Sequence, residues 1–205
     1  RRLAETSRYV QSVCAPGGLR RFGEGFKASA RVRLLHASVR RLLVRDPRWR
    51  AQDWGLPINQ YDTAGTNLLF SFVVAEGLAK LDAPMDPDER EDFMHLWRYA
   101  GWLMGVREDL LCVTTAEAAA LWDLLSTTQG PPDEDSRALA RALMESAVRG
   151  ARTDLAREAA RKRTPFGYAL SRYLIGDAYA DALGYPATAP RWALALRALR
   201  LTASN

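Results

Sequence analysis

Apolar residues recur three and four positions apart along almost the whole chain, and nowhere do they alternate over the length of a strand. That period predicts helices over 2–13, 25–45, 62–81, 87–105, 115–127, 133–162, 166–183 and 188–202. Several of these carry start and stop signals. Asp86-Pro87-Asp88-Glu89 supplies a capping carboxylate, a proline at the first helical position and a glutamate at the third. Asp62, after the Trp54-Gly55-Leu56-Pro57 loop, is placed to cap the next helix. Gly130-Pro131-Pro132 breaks the chain between two helical segments, and Gly184-Tyr185-Pro186 ends another. Without a hairpin signal, a repeat or a low-complexity segment, the class is all-α, and 205 residues lead us to expect one domain over 1–205.

Composition narrows the picture by exclusion. The net charge is +5, but 24 acidic residues are interspersed among 29 basic ones, which argues against a nucleic-acid-binding stripe. Two cysteines, Cys14 and Cys112, are too few and too separated for a disulfide framework or a zinc site. No apolar run reaches the roughly 18 to 20 residues of a transmembrane helix, and no signal-peptide block is present. We therefore expect a cytoplasmic protein, and, since the chain opens on Arg1, further residues upstream of it. No Ser-His-Asp order, P-loop, dinucleotide-binding glycine signature or HExxH motif occurs.

The chemistry is concentrated in RVRLLHASVRRLL, Arg31 to Leu43, which carries one of only two histidines. At 100° per residue, Val32, Leu35, Val39 and Leu43 form an apolar stripe whose centre lies about 50° from His36. His36 thus looks inward from the shoulder of the helix, with Arg33 and Arg40 on its other side. One reading is a core-edge histidine satisfied by a carbonyl. The other is an imidazole for iron with guanidinium groups for an anionic ligand such as haem carboxylates. His95 falls about 150° from the apolar centre of its own helix and is the weaker ligand. Two histidines leave no room for a multi-histidine metal centre. Thr66, Phe70, Val73 and Val74 share one predicted helical face and are candidates to line a cavity.

Five blocks in order, R-x-x-x-T (Arg2, Thr6), RVRLLHAxVR (Arg31 to Arg40), WGxPINQxDxxxT (Trp54 to Thr66), HLWRYxGxxxGV (His95 to Val106) and RYLIGDxxADxLG (Arg172 to Gly184), resemble the superfamily of latex clearing protein (rubber oxygenase) and the mycophenolic-acid oxygenase MpaB. The resemblance spans nearly the whole chain. It implies a globin-like helical bundle enclosing one haem b, with His36 as proximal iron ligand, and an O₂-dependent oxidation such as cleavage of a carbon–carbon double bond. Carried over by position, Arg2 and Thr6 are the catalytic polar pair and Arg40 is the arginine one turn after the ligand; Arg33, from its place beside His36, and Thr66, from its helical face, are further candidates for cofactor binding. One departure stands out: Glu5 occupies the place of a lysine in the rubber-cleaving members. The expected partner is therefore a hydrophobic small molecule other than rubber. A non-catalytic all-α haem or lipid binder, or a basic helical module for an acidic partner, is the competing reading. Oligomeric state is not written in the sequence.

Overall fold

A computed structural model describes residues 2–189 and Trp192, with Arg2 described by its backbone alone. The chain is all-helical, with no strand among the described residues. In chain order the helices are α1 (Arg2–Cys14), α2 (Glu24–Val44), α3 (Ala51–Trp54), α4 (Gln60–Phe70), α5 (Phe72–Lys80), α6 (Pro87–Met104), α7 (Thr115–Thr128), α8 (Glu134–Met144), α9 (Ser146–Gly150), α10 (Asp154–Ile175) and α11 (Asp177–Ala182), with a 3₁₀ turn at Glu108–Leu110. None is long and apolar enough to cross a membrane among the described residues. The helix expected over 188–202 lies outside the described residues apart from Thr188, Ala189 and Trp192.

Four expectations need correction. The 62–81 helix begins earlier, because the side chain of Asn59, not Asp62, caps it by accepting from the Asp62 amide at 2.8 Å. It is also interrupted at Ser71, whose backbone leaves the helical region (φ −111°, ψ −87°) while its Oγ donates back to the Asn67 carbonyl at 2.9 Å; such hydroxyl back-bonds compete with the helical ladder. The 133–162 helix is three pieces, because Ala151 turns extended and the Thr153 hydroxyl starts α10 afresh by accepting from the Ala156 amide. The expected break before 166 is absent and α10 runs through Pro165, with Ala160 and Ala169 buried on either side. Burial of the flanking turns outweighs the one backbone donor that proline lacks. α10 then ends at Gly176, whose φ of +87° suits glycine and redirects the chain into α11.

The fold comprises two units: residues 1–76 with 85–128, and residues 77–84 with 129–205. In the first, Trp97 of α6 is 1% exposed and organises the core: Phe70 stacks on it at 5.2 Å, and Tyr9 and Phe93 meet it edge-on at 6.4 Å. The expected signal at 86–89 is realised as a capping box, with Asp86 accepting from the Glu89 amide at 2.8 Å. In the second unit, buried Arg172 donates to Asp177 (2.8 Å), Asp181 (2.6 Å) and the carbonyls of Tyr185 (2.9 Å) and Pro186 (3.3 Å). That clamp explains the spacing of the RYLIGDxxADxLG block.

Candidate functional site

The site is built on the antiparallel pair α1 and α2. Where these helices touch, α2 presents small residues: Ser29 is fully buried and shares a contact with Tyr9 Oη at 3.3 Å, and a Cβ on Gly25 would sit 2.6 Å from the Ser12 carbonyl oxygen. Gly25, Ser29 and His36 fall on one line, His36 lying about 20° from Ser29 around the helix. His36 therefore points more squarely inward than the apolar stripe implied. Leu35, expected on the inner face, is 59% exposed. The signal missed was steric: close helix approach is marked by the smallest residues, not by the most apolar.

His36 is half-buried, its Nδ1 is buried, and it has no hydrogen-bond partner among the described residues. Burial pushes the imidazole below its ordinary pKa, and the nearby Arg40 charge adds to this. The ring is thus neutral near pH 7, with a lone pair available. The core-edge alternative, a histidine satisfied by a carbonyl, does not match this environment.

Arg40 lies one turn on. Its Nε donates to the Pro57 carbonyl at 3.2 Å and its Nη2 to the Ile58 carbonyl. It thereby ties α2 to the WGLPIN loop, in which Pro57 is buried and Ile58 adopts a left-handed φ of +50°. Arg33 is exposed and makes one long contact, Nη1 to the Leu103 carbonyl at 3.4 Å, at the C-terminal end of α6. The register set by Tyr9 with Ser29, carried one turn along both helices, brings Thr6 level with Val32 and Arg33. Thr6 and Glu5 are exposed, and the side chain of Arg2 lies outside the described residues.

Thr66 is exposed and its hydroxyl bonds back to the Asp62 carbonyl at 2.7 Å. The face expected to join it with Phe70, Val73 and Val74 is broken at Ser71: Phe70 packs on Trp97, Val73 joins a cluster around Phe72 and Met94, and Val74 is exposed. His95 is exposed on the outer side of α6, as its helical phase predicts.

An all-helical chain whose half-buried histidine stands on α2 also matches a known family. The profile described as "ER-bound oxygenase mpaB/B'/Rubber oxygenase, catalytic domain" matches residues 1–205, and the chain belongs to this family of oxygenase catalytic domains. Among curated proteins it is similar to a rubber oxygenase of Streptomyces sp. (strain K30), 24% identical over 121 residues, a stretch covering 58% of this chain and 30% of the relative. No solved structure matches the chain.

Proposed function

We propose that this chain is a haem b-dependent oxygenase domain acting with O₂ on a hydrophobic small molecule, with His36 as the residue that would hold the iron. The observation that carries the reading is the inward His36 imidazole with its buried, unpartnered Nδ1. Leaving such a group unsatisfied costs about 1–3 kcal/mol, which a bound group would remove. The lowered pKa is in the same direction, because the neutral imidazole is the form that ligates metal. Among the described residues no group of three or more His, Cys, Asp or Glu is placed to hold a metal ion. A haem iron would take one imidazole from the protein, and His36 is the residue that would supply it. Bound there, haem b would supply the redox chemistry with O₂.

The remaining roles are assigned from position and from the family resemblance. Arg40 has two of its donors on the Pro57 and Ile58 carbonyls and holds the loop beside the imidazole. Arg33, exposed and with one long hydrogen bond among the described residues, is the guanidinium we assign to the haem carboxylates. Thr6 and Arg2, on the opposing helix, are the donors we assign to the O₂ side, and Thr66 is a further wall residue. Cleavage of a carbon–carbon double bond is the reaction the family resemblance implies, and the similar curated protein is named a rubber oxygenase. Glu5 places an acid where rubber-cleaving members carry a lysine, and we take the substrate to be a smaller, functionalised hydrophobic molecule.

The test is haem titration of the purified chain followed in the visible spectrum. A Soret band saturating at one haem per chain is expected, lost or shifted in His36→Ala and retained in His95→Ala. A chain that develops no Soret band, or one in which His95→Ala rather than His36→Ala loses it, overturns the assignment. Saturating haem binding without O₂-dependent turnover of any hydrophobic substrate would leave the non-catalytic haem-binding alternative.

A further inference from the structure

On the outer side of α6, His95, Arg98, Tyr99 and Trp102 follow one another at helical spacing. With Glu108 and Leu111 at the 3₁₀ turn they wall an open cavity of about 280 Å³. Tyr99 and Trp102 are exposed and stack on each other at 5.9 Å with their planes 14° apart, so a flat aromatic surface fronts this cavity and not the core. Leu111 is buried and makes its apolar floor. Arg98 is half-buried and also borders the small void against Met94 and Leu68. Neither Arg98, His95 nor Glu108 has a side-chain hydrogen bond or ion pair among the described residues. The other carboxylate of the 3₁₀ turn, Asp109, is engaged by Arg107 Nε at 2.9 Å, and Glu91 on α6 by the Thr115 hydroxyl at 2.7 Å.

A guanidinium drawn partly out of water against apolar side chains is completed by an anion, and its planar fork matches a carboxylate. An exposed aromatic pair beside it favours a flat ring. Glu108, facing the same space without a partner, accepts from a donor. The volume falls just under the usual range for drug-sized ligands and suits a single ring. We propose that this cavity is a second binding site, distinct from His36, for a small aromatic carboxylate that carries a hydroxyl group. The carboxylate pairs with Arg98 with support from His95, the ring lies against Trp102 and Leu111, and the hydroxyl donates to Glu108. The site does not depend on the haem reading.

The experiment titrates the full chain with 4-hydroxybenzoate as the probe, read by tryptophan fluorescence and by amide NMR shifts, with circular dichroism confirming that every variant is folded. Saturable binding is expected below roughly 10 mM, with amide shifts confined to residues 95–111, and benzyl alcohol and inorganic phosphate each binding at least about tenfold more weakly. Arg98→Gln should weaken 4-hydroxybenzoate about tenfold or more, Trp102→Leu several-fold, and Arg41→Gln on α2 not at all. Arg98→Lys, which keeps the charge but loses the fork, should fall between wild type and Arg98→Gln. No saturation, equal affinity for benzyl alcohol, or wild-type affinity in both Arg98→Gln and Trp102→Leu overturns the proposal. So does a shift map centred on α2.

Discussion

Two arginines on one helix turn out to do different work. Arg40 spends its donors on the carbonyls of Pro57 and Ile58, whereas Arg33 sits at the C-terminal end of α6 with one 3.4 Å hydrogen bond among the described residues. Replacing Arg40 by Gln should leave two carbonyls without their charged donor. It should lower stability by about 1–3 kcal/mol, seen as a fall in the denaturant midpoint. Arg33→Glu should leave that midpoint nearly unchanged and weaken haem retention in a competition with apomyoglobin. If Arg40→Gln leaves stability intact, or Arg33→Glu keeps full haem affinity, the division of roles between them is wrong. The presence of both guanidinium groups beside His36 was legible in the sequence. Which one is occupied was not, because Arg40's partners come from a loop seventeen and eighteen residues further on.

Helix α2 owes its seat to what it lacks. Gly18 and Gly25 let the α1–α2 turn close on the Ser12 carbonyl, and a Cβ at Gly25 would lie 2.6 Å from that oxygen, in backbone that cannot rotate away. Gly25→Ala should therefore force the two helices apart, at a cost of about 1–3 kcal/mol, and slow haem uptake by misplacing the His36 turn. Ser29→Ala, which removes only the hydroxyl, should do so much less. In the same turn Phe22 holds a φ of +66° while 64% exposed. Phe22→Gly should relieve that strain and stabilise the protein by about 1 kcal/mol, an increase measurable by thermal melting. A decrease would show that the ring's contacts with Phe26 and Arg21 outweigh the strain.

At the scale of the molecule, the family match runs through both units while the candidate haem residues all belong to the first. The second unit is held by a charged hub, and Arg172→Ala should speed amide hydrogen exchange from α10 through Pro186, where its four acceptors lie. Unchanged exchange there would mean that packing around Tyr168 and Tyr185 suffices without the hub. Activity is tested on the whole chain as well. With haem loaded, incubation with polyisoprene and O₂ followed by mass spectrometry should give little or no oligo-isoprenoid aldehyde or ketone, in keeping with Glu5. Efficient release of those products would retire that view of the substrate.

Sequence alone was enough for the helical class, the α6 capping box, the inward sense of His36 and the outward sense of His95, because each depends on residues within a turn or two of one another. It was also enough for the family, through five blocks spread along the chain, and the profile match bears that out. Tertiary structure decided the rest. The helix ends at Ser71, Thr153 and Gly176 and the continuity through Pro165 depend on how hydroxyls, flanking burial and turns balance in place, which periodicity does not record. The same holds for the rotation that puts Leu35 outside and His36 on the Gly25–Ser29 line. The inner face of a helix is set by where its neighbour can approach most closely, and that approach is a property of two helices together.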